Sequence, residues 1–221
     1  MAILECSLCG KLTAKITKEH LPQKALYPKE VRKSIQNLHT VKACESCNND
    51  TSAEDEVFKV FIGMVAKQEG NELSSSVNKT FNNNDKLKKG FTKNSQVVER
   101  SGHKINLWNA REHTHTVLDS AEKCAKGFYF KEFDEVLIKD KLILFVPTPF
   151  VYEKLKIEVE NKLKSAQWLS VNGNTVNYTF LDMKNTDIII IMNFFSNAEF
   201  VFCIRDKEYD KKVKLGLIDL S

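Results

Sequence analysis

Apolar side chains at Val57, Phe58, Phe61, Ile62, Val65 and Ala66 recur at helical spacing, directly after Ser52-Ala53-Glu54-Asp55, whose Ser and Asp fit a capping box. A helix is therefore predicted to begin just past residue 51. Before it, Leu12, Ala14 and Ile16 alternate with Thr13, Lys15 and Thr17. That alternation predicts a strand running to His20 and ended by Pro22. Lys24 to Lys33 reads as a loop with a helical turn near Pro28-Lys29-Glu30-Val31, and Asn37 to Val41 as a short return strand. Gln68 to Asn94 is poor in apolar residues and includes Ser74-Ser75-Ser76 and Asn82-Asn83-Asn84, so a polar linker or mobile segment is expected there.

The second half alternates more clearly. Gln96 to Arg100 and Lys104 to Asn109 flank Ser101-Gly102 as a hairpin would. Asp119 or Ser120 can cap a short helix through Lys126, with Gly127 as its stop. Lys141 to Val146 predicts a strand halted by Pro147 and Pro149, and Val151, Leu155, Val159 and Leu163 step by four as on an amphipathic helix. Asn172-Gly173 supplies the positive backbone angles of a tight hairpin turn. Ile188 to Phe195 and Phe200 to Ile204 make a further hairpin around Ser196-Asn197, and the unbroken Ile188-Ile189-Ile190-Ile191 implies a central strand covered on both faces. The fold class expected is α+β: an N-terminal ββα unit over 1–68, a linker over 69–94, and an α+β domain with an antiparallel sheet over 95–221. No internal repeat is present.

Composition narrows the function classes. Hydrophobic residues make up 42% and charged residues 28% of 221 positions, and no apolar run approaches the roughly 20 residues that span a bilayer. No membrane partner is expected. The opening Met-Ala-Ile-Leu-Glu-Cys lacks the basic and apolar regions of a secretion signal, so a cytoplasmic location is expected. Paired cysteines in a reducing compartment serve as metal ligands more often than as disulfides. The net charge of +4 is mild. It is unevenly spread: between Lys79 and Lys104 seven Lys/Arg stand against Asp85 and Glu99, an excess of +5 that suits either a solvated face or contacts to phosphate.

Candidate chemistry lies between Cys6 and Asn48. Cys6-x-x-Cys9-Gly10 and Cys44-x-x-Cys47 are two knuckles that can bring four thiolates to the corners of one tetrahedron, which predicts a structural Zn2+. Within that span Glu19-His20 offers a carboxylate and an imidazole whose ordinary pKa lies near neutrality, and Asn48 follows the last cysteine. Phosphodiester hydrolysis needs a general base, here His20, and a hard cation, for which Glu19 and Asn48 supply oxygen ligands suited to Mg2+ or Mn2+.

Cys6-x-x-Cys9, Glu19-His20-x-Pro22, Asn37-Leu38 and Cys44-x-x-Cys47-Asn48 together resemble the HNH endonucleases of the zinc-pinned ββα-metal class. The resemblance covers roughly the first 60 residues. It implies that His20 is the general base, that Glu19 and Asn48 bind the catalytic ion, and that Asn37 braces the hairpin. It also implies cleavage to 5′-phosphate and 3′-hydroxyl ends. The acid is Glu19 where Asp is commoner, and the third motif position is Asn48 rather than His. The expected activity is an endonuclease acting on nucleic acid, first of all double-stranded DNA, in a setting such as restriction or phage defence. The alternative is a zinc-binding module without chemistry that acts on nucleic acid or protein.

Other residues have plainer readings. His39 competes with Asn37 as a brace or ligand. Asp55 and Glu56 suit capping and the helix dipole, although they could reach a metal. His113, His115 and Cys124 would make a loose second metal set. Cys124 and Cys203 suit buried thiols, and Trp108 and Trp168 suit the core or a sheet face. The C-terminal domain is expected to select the target, bind a protein partner or form a homo-oligomer.

Overall fold

The computed structural model describes residues 2–27, 32–33, 35, 38–48, 52–66, 72–93, 95–100, 102–107, 110–137, 141–145, 156–173, 175–183 and 188–206. The architecture is mixed helix and antiparallel sheet. Strands β1 (Leu4–Glu5) and β2 (Leu12–Thr13) pair across the Cys6–Gly10 turn, where Gly10 takes a φ of 71°. β3 (Ile16–His20) pairs antiparallel with β4 (Thr40–Cys44), setting Ile16 opposite Cys44 and His20 opposite Thr40. The alternating stretch read as one strand is thus two, and the return strand starts at Thr40. β4 leads into a single helical turn, α1 (Glu45–Asn48), and then the helix predicted from the 57–66 pattern, α2 (Ser52–Ala66). The helical turn expected near 28–31, and the Ser52 side chain of the capping box, lie outside what is described.

The stretch read as a linker is folded. It forms α3 (Glu72–Asn83) and α4 (Asp85–Thr92), with Asn84 capping α4 by accepting a 3.1 Å bond from the Leu87 amide. Val77 and Phe81, then Leu87 and Phe91, are buried pairs at i, i+4 spacing. These narrow apolar stripes stand among many polar residues, which is why average composition concealed them. At Gly63 a Cβ would come within 2.3 Å of Val77 Cγ2, so the glycine lets α3 lie close on α2.

β5 (Gln96–Arg100) and β6 (His103–Leu107) form the expected hairpin. A 3-10 turn over Arg111–His113 then enters α5 (Thr114–Phe133), which is far longer than the short helix expected. Gly127 does not stop it. A Cβ there would sit 2.3 Å from Leu21 Cδ1, so the glycine is a notch that receives the loop after His20. The helix ends instead at Asp134, in the left-handed region with φ 53°.

The rest is a five-stranded antiparallel sheet in the order β7-β11-β10-β9-β8, built from β7 (Lys141–Phe145), β8 (Leu169–Val171), β9 (Val176–Asp182), β10 (Ile188–Phe194) and β11 (Ala198–Asp206). Both later hairpins match expectation. The isoleucine strand β10 is central, and its two faces join separate apolar clusters: Ile189 and Ile191 with Val159 of α6 (Lys156–Ser165), Ile190 and Met192 with the main core. Val151 and Leu155 of the expected helix fall outside the described residues. On the core side Phe58 meets Phe194 edge-on at 5.4 Å, and Phe128 stacks on Tyr178 at 4.3 Å. The main cluster runs from Cys6 to Ile204 without a break at residue 68, so the N-terminal strands, the helices and one face of the sheet share one core. Trp168 is 43% exposed rather than packed in the core, and Trp108 lies outside the described residues. Among the described residues no helix is long and apolar enough to cross a membrane.

Candidate functional site

The two knuckles meet. The sulfurs of Cys6, Cys9, Cys44 and Cys47 all lie within 4.8 Å of one another, with Cys9 and Cys44 3.8 Å apart. Zn–S bonds of about 2.3 Å in a tetrahedron put sulfurs about 3.8 Å apart, so the cluster fits such an ion. The surrounding backbone supports it: the Cys44 amide donates to Cys6 Sγ at 3.3 Å, and Ser7 N–H bonds the Lys42 carbonyl at 2.8 Å. The four cysteines can therefore hold a metal ion such as zinc. His113, His115 and Cys124 do not form a second set; His113 sits in the 3-10 turn, His115 is exposed on α5, and Cys124 is buried against Gln23.

The cluster fastens β4 and α1 beside β3. Thr17 Oγ1 donates to the Ala43 carbonyl, and Asn48 Nδ2 donates to Thr17 Oγ1 at 2.6 Å and to the Lys18 carbonyl at 3.4 Å. The Asn48 amide nitrogen is thus committed to β3.

Glu19 is almost wholly buried, and its partner is one the sequence did not suggest. Its Oε1 lies 2.9 Å from the Nζ of Lys123 on α5, and the same ammonium is 3.8 Å from Asp55 Oδ1 on α2. Burial raises the Glu19 pKa against the opposing pull of Lys123. Asp55 is pushed up to about 6, first by burial, with Lys123 opposing and Glu19 and Glu54 adding repulsion. Asp55 Oδ1 is buried without a hydrogen-bond donor. Asp55 is therefore more than a capping residue. Oxygens of Glu19 and Asp55 thus converge on one ammonium, that of Lys123.

His20 stands apart from that cluster. Successive strand side chains leave on opposite faces, so it projects away from the Glu19 side of β3. Among the described residues its imidazole has no hydrogen-bond partner, and burial, then Lys24 and Arg32, hold its pKa below the ordinary value. The neutral form that accepts a proton is favoured. Asn37 lies outside the described residues. His39 is held elsewhere, with Nδ1 2.9 Å from Lys131 Nζ on α5.

The loop after His20 is pinned by the C-terminal half. Asn172, at φ 52° in the β8–β9 turn, donates through Nδ2 to the Leu21 carbonyl at 3.0 Å and to Tyr27 Oη at 2.6 Å, and accepts from the His39 amide at 3.0 Å. Gln23 adds a 3.2 Å bond to the Ser120 carbonyl. The Asn-Gly pair announces a turn, but nothing in its pattern reveals a side chain that reaches another segment. Asn172→Ala is expected to destabilise the fold by about 2–4 kcal/mol, from three lost bonds of about 1 kcal/mol each and an alanine at positive φ. Chemical denaturation reads this as a lower midpoint at unchanged slope, and Asn172→Gly should recover only the backbone part.

No family model, curated protein or solved structure matches the chain.

Proposed function

We propose that this protein is a metal-dependent endonuclease of the HNH, ββα-metal type, hydrolysing phosphodiester bonds of nucleic acid, with duplex DNA as the first substrate. The observation that carries the reading is the tetracysteine cluster, which ties the strand ending in Glu19-His20 to the turn ending in Asn48. His20 takes a proton from water, and the oxygen attacks phosphorus. The bond from phosphorus to the 3′-oxygen breaks, leaving a 5′-phosphate and a 3′-oxygen that takes a proton from solvent water to become the hydroxyl. Glu19 and Asn48, with Asp55 beside them, would hold Mg2+ or Mn2+, whose role is to neutralise charge on the phosphoryl oxygens. Zinc in the four cysteines is structural. Restriction and antiviral defence are settings such an enzyme suits.

Purified protein incubated with supercoiled plasmid and Mg2+ or Mn2+ tests this. Nicked and linear products are expected, and His20→Ala should slow their formation by about 10²–10⁴-fold, the usual contribution of a general base. Cleavage undiminished in that variant would overturn the mechanism.

One observation favours a second reading. Lys123 already neutralises Glu19, as it would in a zinc-binding module that has the fold without the chemistry. Nucleic-acid binding with no cleavage under any divalent ion would establish that module instead.

A further inference from the structure

The basic stretch between Lys79 and Lys104 resolves into one ordered feature. Lys86, Lys89 and Lys93 are exposed; Lys86 and Lys89, at i and i+3, share one face of α4, and Lys93 follows at its C-terminal cap, while Leu87 and Phe91 are buried. They line an open groove of about 780 Å³, together with Glu54 of α2 and with Glu112 and His113 before α5. The groove owes its form to close packing. Gly90 faces His113, where a Cβ would fall 2.2 Å from Nε2, and the imidazole lies 4.5 Å from the Phe91 ring. Lys93 is tied to Glu112, whereas Lys86 and Lys89 have no ion pair among the described residues.

We propose that this groove binds the phosphodiester backbone of a nucleic acid. The choice of ligand class rests on the nuclease reading; the cationic row does not. From Lys86 to Lys93 the chain advances about 10 Å, nearly all of it as helix at about 1.5 Å per residue, and one strand of a duplex presents a phosphate every ~3.4 Å along its axis. The row thus matches about three successive phosphates rather than a single anion. Glu54 lines the groove, and the next residue, Asp55, faces Glu19 through Lys123. A strand lying in the groove therefore passes beside the first turn of α2, on the flank of the candidate centre. Glu54 and Glu112 oppose binding, and Glu112 does so twice, by its own charge and by occupying Lys93.

The test is anisotropy of a short fluorescent DNA duplex against the full chain, without divalent cations, across a salt series. Lys86→Gln/Lys89→Gln should weaken binding tenfold or more and reduce the slope of log K against log salt by about 2. Glu112→Gln should move the other way, tightening binding several-fold and steepening the slope by about 1, a gain that a damaged fold cannot mimic. Zinc content and melting temperature of both variants should match the parent. Affinity and slope unchanged in the lysine variant, or no duplex binding by the parent at low salt, would overturn the groove. His20→Ala separates the two proposals: it should bind as the parent does, so loss of cleavage alone speaks to the chemistry. Full cleavage with unaltered binding in the lysine variant removes the groove and leaves the nuclease standing.

Discussion

Extraction of metal from the four cysteines, or Cys44→Ser, is expected to unfold the N-terminal strands and to lower overall stability more than any other single change. β1 and β2 are two residues each, and Cys6 and Cys44 are buried at 0% and 3% exposure beneath them. Strands so short supply few hydrogen bonds, and four thiolates within 4.8 Å repel one another unless a cation lies between them. Binding of structural zinc contributes about 10–16 kcal/mol in small folded sites, and here it is linked to folding of the same segment. Thermal melts before and after a strong chelator read the loss, and added zinc should restore the original transition. Cys203→Ser, at a thiol outside the cluster, serves as the contrast and should fall well short of Cys44→Ser. A melting curve indifferent to chelation would show that the cysteines hold no structural ion.

The second large effect is expected at Lys123. Its side chain is 13% exposed between Glu19 and Asp55, so Lys123→Met leaves a buried and a half-buried carboxylate near each other without that cation. Removing one partner of a buried ion pair typically destabilises by about 3–5 kcal/mol. The sign of the pH dependence follows from the shifts already present. Both acids have folded-state pKa values raised by burial, Asp55 to about 6, and loss of the lysine raises them further. An acid whose pKa is higher in the folded state binds more protons there, so its folded form gains stability as pH falls. The variant should therefore recover part of its deficit between neutral pH and about pH 5, and Glu19→Gln in the same background should recover part of it at pH 7. A deficit that stays constant over that range would mean the carboxylates are not its source. Denaturant titrations at several pH values make the comparison.

How much of this was legible in the chain depends on whether the signal was local. The cysteine spacing, the Asn-Gly hairpin and the four isoleucines of β10 are each a few residues long, and the structure repeats them. The helices α3 and α4 were not legible because one buried pair of large apolar residues in each, Val77 with Phe81 and Leu87 with Phe91, is too little to lift a segment dominated by Asn, Ser and Lys. Gly127 was misread because a glycine that ends a helix and one that admits a neighbour look alike until the neighbour, Leu21, is known. At the candidate site the sequence pointed to Glu19, His20 and Asn48 but not to Lys123 or Asn172. Those two lie more than 100 positions downstream of Glu19 and His20, and only tertiary packing makes them neighbours.

The first 68 residues are consequently not a cassette that can be lifted onto another scaffold. Four ties cross from the end of β3 and the loop after it to later parts of the chain: Glu19 to Lys123, Leu21 into the Gly127 notch, Gln23 to Ser120, and the Leu21 carbonyl to Asn172. Cut free, the fragment would keep its cysteines yet leave a carboxylate, a side-chain amide, a backbone carbonyl and a leucine with their partners removed. The C-terminal half is therefore mechanically joined to the residues beside His20, and cannot be exchanged without rebuilding them.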